Sequence, residues 1–285
     1  MLEHISAFEV ERILKSALAE DVGSGDVTSL STVPPGRTIS GRYIAKEDGV
    51  LCGLEVVARA FALLDASIAF TALAADGDRV RKGDVIATVS GDARAILAGE
   101  RVGLNLLQHM SGVATQTARA VAAVAGTGAK IVDTRKTTPG LRVLDKYAVR
   151  MGGGGNHRFN LADGVLIKDN HIVAASGIAA AVAAARARAP HSLKIEVEVE
   201  TLEQLREALE AGADIIMLDN MPTETMREAV RLVAGRALTE ASGNMGDKTD
   251  AELRAVAETG VDLISIGALT HSVKALDISL KFSWD

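Results

Sequence analysis

The stretch IEVEVETLEQLREALEAGADIIMLD, residues 195–219, contains the pattern that decides the fold. Runs rich in aliphatic and β-branched residues at its two ends predict strands. Between them, Thr201 and a glutamine three residues later have the spacing of a capping box, which begins a helix. Leu205 and Leu209 supply an apolar face for that helix, and Gly212 can end it. The stretch therefore predicts one strand–helix–strand unit.

Similar units continue from about residue 128 onward, with strand-like runs about 20 to 35 residues apart. This spacing suits a parallel barrel or a doubly wound open sheet. In a barrel the carboxyl ends of all strands face one mouth, whereas the outer strands of an open sheet end too far apart to share a site. Nearly every run ends in a charged or small residue, so we predict an α/β barrel. These ends lie near Asp133, Lys168, Glu198, Asp219, Glu240 and Gly267.

Residues from about 36 to 100 have a different rhythm of short strands and turns. Gly-Asp turns in residues 76–91 make a pattern similar to the small β-sandwich of biotinyl and lipoyl carrier domains. A carrier needs a modifiable lysine at a hairpin tip, and none is evident, so a structural β module is the preferred interpretation. We expect helices over 7–18 and 99–118 to flank it, and strands over 38–45, 49–54, 68–74 and 85–89.

The composition narrows the classes of function. Of the 285 residues, 48% are hydrophobic and 24% charged, as in ordinary globular proteins. Aromatic residues make up only 3% and the net charge is −6, so we expect binding neither to nucleic acid nor to an anionic membrane surface. The longest run without a charged side chain, 102–118, is interrupted by polar residues and is not expected to span a membrane. Cys52 is the only cysteine, which excludes an internal disulfide and favours a reducing, cytoplasmic location.

A basic cluster lies between residues 133 and 171 of this acidic protein. Arginine and lysine suit carboxylates and phosphates, and arginine can bind them in a bidentate manner. Four glycines at 152–155 lie beside the cluster, and we expect them to let backbone N–H groups approach a ligand. A solvated loop explains any single cation equally well, but an anion site explains all of them better. The cluster consists of Arg135, Lys136, His157, Arg158 and Lys168.

Two carboxylates, Glu198 and Asp219, end predicted strands. At a barrel mouth they can hold Mg²⁺ through its waters or bind ribose hydroxyls, and a structural ion pair is the alternative. Glu196, Glu198 and Glu200 share one face of an alternating strand. A barrel interior cannot bury three uncompensated charges, so at least one of them should lie at the polar rim or be paired.

Small residues follow the last two strands, at 241–246 and 265–272. Barrels often build phosphate sites on these loops, although an ordinary strand-to-helix turn also uses glycine. No Ser-His-Asp arrangement stands out, and Cys52 lies outside the predicted barrel. Together the patterns predict a site for a polyanion and a divalent metal, without a covalent nucleophile.

On these residues the sequence is similar to the quinolinate phosphoribosyltransferase family, the carboxylating nicotinate-nucleotide pyrophosphorylases. The similarity covers almost the whole chain, and its motifs are highly specific in combination. It implies an N-terminal α/β sandwich domain over 1–115, joined by the tail 273–285, and an open, TIM-like (β/α) barrel over 116–272. The motifs are residues 20–28, 111–115, 133–137, 146–150, 156–158, 168–171 and 267–272.

The resemblance also implies a reaction and its partners. Quinolinate and phosphoribosyl pyrophosphate would give nicotinate mononucleotide, pyrophosphate and CO₂, with Mg²⁺, in NAD biosynthesis. The enzyme would be a homodimer or a higher even oligomer. Arg101 of the neighbouring subunit would reach the quinolinate carboxylates, which this chain would hold with Arg135, His157, Arg158 and Lys168.

The family pattern further assigns the donor site. Thr134 and Lys136 belong to one binding loop, with Lys136 near the pyrophosphate. Glu198 and Asp219 face the ribose and, through substrate and water, the metal; with Lys136 they are the expected catalytic residues. Asn244 departs from a pattern in which glycine is common, which should matter little if its backbone N–H is used. The 5′-phosphate would be bound by Ser242, Gly243, Asn244, Gly267 and His271, and Ile266 and Ala268 are further expected substrate-binding residues.

Two other functions fit parts of the sequence. A paralogous pyrophosphorylase-like family associated with molybdate transport genes shares the implied fold. The intact motifs at 156–158 and 168–171 favour the quinolinate enzyme, because a dicarboxylate needs their cations. A non-catalytic metabolite-binding or carrier protein would bind its ligand without turnover.

Overall fold

The computed structural model describes residues 5–282, which form two compact units. Within that range, the first unit comprises 5–118, 138–153 and 272–282, and the second comprises 119–137 and 154–271. The domain boundaries expected from the sequence, after residues 115 and 272, stay a prediction. Among the helices of the described range, none is both long and apolar enough to cross a bilayer.

Short strands alternate with helices through most of the chain. The strands are β1 (Thr38–Ala45), β2 (Gly49–Val50), β3 (Ala69–Ala72), β4 (Arg79–Val80), β5 (Val85–Asp92), β6 (Lys130–Val132), β7 (Val165–Ile167), β8 (Ile195–Val199), β9 (Ile215–Asp219), β10 (Leu238–Ser242), β11 (Leu263–Ser265) and β12 (Ile278–Phe282). The helices are α1 (Ala7–Val22), α2 (Val27–Thr32), α3 (Leu54–Leu64), α4 (Ala93–Ala123), α5 (Arg142–Met151), α6 (Asp169–Ala175), α7 (Ile178–Arg188), α8 (Leu202–Glu210), α9 (Thr223–Val233), α10 (Asp250–Ala257) and α11 (Ala268–His271).

An antiparallel sheet of order β12–β1–β5–β3 forms the centre of the first unit. Its apolar side chains share one buried cluster with those of α3 and α4, including Tyr43, Phe61, Ile86 and Leu107. Strand β12 pairs with β1 in the register that places Leu280 opposite Tyr43. The predicted α/β sandwich and the predicted return of the C-terminal tail to it are therefore confirmed.

Helix α3 was not predicted. The sequence analysis expected a strand over 49–54 and a rhythm of short strands and turns after it. The strand stops at Val50, and the backbone N–H groups of Gly53 and Leu54 donate to Asp76 Oδ1 at 2.8 and 3.2 Å. These are N–H groups that a helix start leaves without an intrahelical partner. The partner lies more than twenty residues away in the chain, so the local pattern could not show that a helix begins here.

The second unit contains a six-stranded parallel sheet of order β6–β11–β10–β9–β8–β7. Each strand from β7 to β10 pairs with its successor, and β11 pairs with β6, the first strand of the unit. This circular order is that of a barrel and not of a doubly wound sheet. Strands β6 and β7 are the edges, and an isolated bridge joins Val132 to Gly155. The barrel is open between β6 and β7, as predicted.

The glycines at 152–155 serve packing and chain reversal, which differs from the ligand contact that we expected. A Cβ on Gly152 would lie 2.4 Å from the carbonyl oxygen of Ala114 on α4. Gly153 has a φ of 87°, in the left-handed region that favours glycine. Gly155 donates its N–H to the carbonyl oxygen of Ile131 at 2.8 Å, so it extends the edge of β6.

Two glutamates are buried inside the barrel, Glu196 on β8 and Glu240 on β10, with 4% and 0% of their surface exposed. Of the three glutamates predicted to share a face, Glu198 contacts Lys168 and Glu200 is exposed, which confirms that at least one lies at the rim or is paired. Burial, and next the charge of Glu196, raise the pKa of Glu240 to about 7.

The raised pKa of Glu240 predicts how stability depends on pH. The folded protein binds the Glu240 proton more tightly than the unfolded chain does. Proton binding therefore contributes its full share of the unfolding free energy below about pH 4.5, and this contribution is lost as pH rises through about 7. Glu240→Gln removes that loss. The unfolding free energy of the variant relative to wild type should therefore rise between pH 5 and pH 8, by on the order of 3 kcal/mol.

Urea unfolding of both proteins at the two pH values measures this difference. Glu203→Gln is the matched control, since the Glu203 side chain is 83% exposed. A difference between Glu240→Gln and wild type that is the same at pH 5 and pH 8 would contradict the buried, proton-retaining state of Glu240.

Candidate active site

A cavity of about 590 Å³ lies in the second unit, at the carboxyl ends of the barrel strands. Parallel strands bring the loops that follow them to one end of the sheet, which is why residues far apart in the chain meet here. The predicted site residues that line the cavity are Thr134, Arg135, Lys136, His157, Arg158, Lys168, Glu198, Asp219, Ser242, Gly243, Asn244, Gly267, Ala268 and His271.

Two predicted residues do not line this cavity. Ile266 is buried and donates its N–H to the carbonyl oxygen of Val132 at 3.0 Å, so it fixes the end of β11 against β6. That Ile266 contacts a substrate stays a prediction. Arg101 lies on the α4 helix of the first unit, where it is exposed. Its action across a subunit interface stays a prediction.

The cationic side of the cavity is formed by the loops after β6 and β7 and by the segment between them. Arg158 Nη1 donates to the carbonyl oxygen of Gly164 at 2.9 Å, which directs its guanidinium. Partial burial, and next the charge of Arg135, lower the pKa of the Arg158 guanidinium. Two guanidinium groups that repel each other in this way are stabilised when an anion binds between them.

The buried carboxylate of Asp133 fixes this segment. Its Oδ1 accepts the backbone N–H of His157 at 2.8 Å, and its Oδ2 accepts the side-chain amide of Asn156 at 2.7 Å. The sequence pattern marks Asp133 only as the end of a strand. Its burial at 0% exposure shows that it positions the neighbouring cationic residues and does not face a ligand.

Both ring nitrogens of His157 have protein groups beside them. Nδ1 accepts the backbone N–H of Arg158 at 2.7 Å, and Nε2 lies 3.1 Å from Glu196 Oε2 and 3.7 Å from Glu240 Oε2. His157 thus lines the cavity, as predicted, while its nitrogens are directed toward the protein. That His157 donates a hydrogen bond to a ligand carboxylate stays a prediction of the resemblance.

The acidic side of the cavity is formed by Glu198 and Asp219, which end the adjacent strands β8 and β9. Lys168 Nζ contacts Glu198, and the Asn220 side-chain amide donates to Asp219 Oδ2 at 2.8 Å. Carboxylate oxygens are the ligands that Mg²⁺ prefers, and this ion keeps several of its waters. Because each carboxylate already has a protein partner, the pair fits Mg²⁺ held through water better than Mg²⁺ bound directly.

The loop after β10 is shaped by close contact with Asn220. Gly243 has a φ of 91°, and a Cβ there would lie 2.2 Å from Asn220 Oδ1. Asn244 has a φ of 51°, a left-handed conformation that asparagine tolerates better than most residues. Its side-chain amide donates to the same Asn220 oxygen at 3.3 Å. The departure from the family pattern at position 244 is thus accommodated by the local backbone and by Asn220.

The basic loop and the last loop are joined to each other. The Thr270 hydroxyl donates to the carbonyl oxygen of Lys136 at 2.8 Å. A Cβ on Gly267 would lie 3.0 Å from Lys136 Cδ, so the lysine stem passes close to this glycine. The Lys136 side chain therefore passes beside the loop that opens α11.

Several lining residues were missed by the sequence analysis. Met217 and Asp219 occupy alternate positions of β9 and therefore point to the same side, a signal that strand periodicity could have supplied. Asn220 directly follows Asp219 and was not considered. Leu166 and Asp247 were also missed, and Glu240 was named only as a strand end. Met245, Gly246 and Ser265 belong to the segments 241–246 and 265–272 that were predicted to form a phosphate site.

Comparison with known proteins gives matches along most of the chain. The Quinolinate phosphoribosyl transferase, C-terminal domain family matches residues 113–281, and the corresponding N-terminal domain family matches residues 26–111. A Bacillus subtilis protein named probable nicotinate-nucleotide pyrophosphorylase (carboxylating) is 49% identical over 272 residues, which cover 95% of this chain and 93% of that protein.

Solved structures agree with these matches. The structure of NadC from Streptococcus pyogenes has a TM-score of 0.92 and 45% identity, and the match covers 98% of each chain. The nicotinate-nucleotide pyrophosphorylase from Francisella tularensis has a TM-score of 0.93 and 39% identity, with 99% of each chain covered. This chain belongs to the quinolinate phosphoribosyltransferase family.

Proposed function

We propose that this protein transfers the phosphoribosyl group of phosphoribosyl pyrophosphate to quinolinate and releases nicotinate mononucleotide, pyrophosphate and CO₂. The observation that carries the proposal is the cavity at the barrel mouth, where a group of cations faces two strand-end carboxylates. A dicarboxylate acceptor and a pyrophosphate donor account for the cations, and a ribose between them accounts for the carboxylates. Membership of the family supports the same reaction.

The two substrates are assigned to different sides of the cavity. Arg135, Arg158 and Lys168 bind the quinolinate carboxylates by charge-assisted hydrogen bonds, with His157 at the base of this subsite. Lys136 binds the pyrophosphate of the donor, and Thr134, whose hydroxyl accepts the backbone N–H of Lys136 at 3.0 Å, belongs to the same binding loop. The 5′-phosphate lies on the loops after β10 and β11, at Ser242, Gly243, Asn244, Gly267, Ala268 and His271.

In the transfer step, the bond from ribose C1′ to the pyrophosphate oxygen breaks and the quinolinate nitrogen bonds to C1′. Positive charge develops on the ribose as the pyrophosphate leaves. Glu198 and Asp219 stabilise that charge because they are fixed before the reaction begins. Lys136 neutralises the negative charge that accumulates on the leaving group.

In the decarboxylation step, the electrons of the bond between C2 and its carboxylate stay on C2 as CO₂ leaves. The positive pyridinium nitrogen, now bonded to ribose, stabilises them, and C2 then takes up a proton. The substrate thus supplies its own electron sink, and the protein contributes by holding both substrates in register.

Mg²⁺ is proposed as the cofactor. Glu198 and Asp219 are the residues that would hold it through water, since each carboxylate already has a protein partner. The bound ion would neutralise negative charge on the pyrophosphate.

We also propose a homodimer or a higher even oligomer, in which Arg101 completes the quinolinate subsite of the neighbouring subunit. The exposure of Arg101 supports this, because a guanidinium on a helix surface is available to a second chain. The single cysteine, Cys52, cannot form an internal disulfide, which supports a reducing location such as the cytoplasm.

The proposed reaction predicts a specific product pattern. Purified protein with quinolinate, phosphoribosyl pyrophosphate and Mg²⁺ should form nicotinate mononucleotide and CO₂ in equal amounts, as measured by chromatography and by trapping labelled CO₂. Nicotinic acid in place of quinolinate should give no product, since it lacks the second carboxylate. Product from nicotinic acid but none from quinolinate would refute the proposal.

The assigned subsites predict that Arg158→Ala weakens quinolinate binding far more than donor binding. Loss of a charge-assisted hydrogen bond costs about 1.5–3 kcal/mol, or about 10- to 150-fold in affinity. Calorimetric titration with each ligand separately measures both effects. Arg227→Ala, which removes an exposed arginine of α9, should change neither affinity. Equal losses for quinolinate and for the donor would contradict the assignment of Arg158.

The shared site predicts complementation between inactive variants. Arg101→Ala removes the residue that one subunit donates, and Lys136→Ala disables the site that receives it. In a mixed dimer one site retains both residues, so activity should recover to about a quarter of wild type under random exchange, if only heterodimers contribute. Mass spectrometry of the mixture verifies that subunits exchange. No recovery in exchanged dimers would place Arg101 in the site of its own chain.

A further inference from the structure

Three side chains, His157, Glu196 and Glu240, meet at the base of the quinolinate subsite. Their ligand-type atoms all lie within 4.8 Å of one another. The Glu196 and Glu240 side chains are 5% and 1% exposed, and Glu196 Oε1 and both oxygens of Glu240 have no hydrogen-bond partner within the described residues. Such a group is either a metal centre or a buried support for the histidine.

The tautomer of His157 decides between these two interpretations. Nδ1 lies 2.7 Å from the backbone nitrogen of Arg158, whose N–H is the donor, so Nδ1 must carry a lone pair. In the neutral ring the proton is then on Nε2, which faces Glu196 Oε2 at 3.1 Å. A nitrogen that carries a proton cannot bind a metal. The geometry therefore favours a hydrogen bond from Nε2–H to Glu196 over a metal centre.

This hydrogen bond continues a chain of contacts toward the ligand. The backbone N–H of His157 donates to Asp133, and its ring accepts the N–H of Arg158. Glu196 thus fixes the ring at Nε2. At the opposite side of the ring, Nδ1 orients the backbone N–H of Arg158, the residue whose side chain extends into the subsite. The Arg158 side chain lines the cavity. Glu196 itself does not line the cavity, and its contact with the subsite runs through His157.

Charge acts in the same direction as these contacts. Arg135 repels the Arg158 guanidinium, and Glu196 attracts it. A buried carboxylate behind two like charges reduces the free energy needed to hold them together before an anion arrives. Glu196 is suited to this role because it lies inside the barrel, where it does not compete with a substrate carboxylate.

We infer that Glu196 is a positioning residue for the quinolinate subsite, which accepts Nε2–H of His157 and thereby fixes the backbone that presents Arg158. The inference rests on the proposed function for the identity of the ligand. It assigns to His157 a neutral, Nε2-protonated ring that supports the subsite.

Nitrogen-15 NMR of the histidine side chains tests the tautomer directly in the ligand-free protein. The expected spectrum at neutral pH shows a protonated Nε2 and an unprotonated Nδ1 for His157, assigned by its loss in His157→Asn. A proton on Nδ1, or on both nitrogens, would overturn the inference. This measurement needs no turnover, so it remains decisive even if the proposed reaction fails.

Two variants test the positioning role. Glu196→Gln keeps a carbonyl oxygen that can accept Nε2–H, whereas Glu196→Ala removes the acceptor. We expect Glu196→Ala to raise KM for quinolinate about tenfold to a hundredfold with KM for the donor unchanged, and Glu196→Gln to restore most of the loss. Glu203→Gln, on the exposed face of α8, is the matched control. Equal rises in both KM values, or Glu196→Gln as impaired as Glu196→Ala, would overturn the inference.

Folding and metal content complete the test. Near-UV circular dichroism reports whether Glu196→Ala is folded; if it is not, the comparison of Glu196→Gln with wild type and the NMR spectrum still decide. Elemental analysis of the wild-type protein, purified without chelator, should find no stoichiometric transition metal. One bound Zn²⁺ or Mn²⁺ per chain that is lost in Glu196→Gln would establish a metal centre in place of the support proposed here.

Discussion

The buried carboxylate of Asp133 fixes the site at the opening between β6 and β7, where these two strands do not pair with each other. Strands inside a parallel sheet fix one another through their backbone hydrogen bonds, but β6 and β7 are edges. At this opening, Asp133 accepts two hydrogen bonds from the segment that begins at Asn156. If Asp133 were absent, those donors would lose this buried acceptor and the cationic side of the cavity would lose its fixed geometry.

Charges of opposite sign occupy successive layers of the second unit. Buried glutamates lie inside the barrel, arginine and lysine side chains lie above them, and further carboxylates stand opposite at the rim. The overall net charge of −6 conceals this arrangement, because an average over the chain carries no information on depth. An acidic protein can thus provide a cationic pocket for small anions and still repel anionic polymers.

The repeating strand–helix pattern was sufficient to predict the barrel, because each unit obeys local rules. The capping box at Thr201 and the strand ends at Lys168 and Asp219 are examples that the structure reproduces. What the sequence could not show are partners that meet only after folding. The start of α3 depends on Asp76, the glycine at 152 is required by a neighbouring helix, and Glu196 lies beneath a histidine distant in the chain. No local periodicity encodes such pairs.

The contact between Gly243 and Asn220 limits how this sequence can change over evolutionary time. Any side chain at position 243 would begin 2.2 Å from the Asn220 amide oxygen, and that same oxygen accepts the amide of Asn244. Asn220 itself has a φ of 54°, which few residues other than asparagine, aspartate and glycine adopt readily. A side chain at position 243 is therefore tolerated only after a compensating change at position 220, whereas position 244 can also hold glycine.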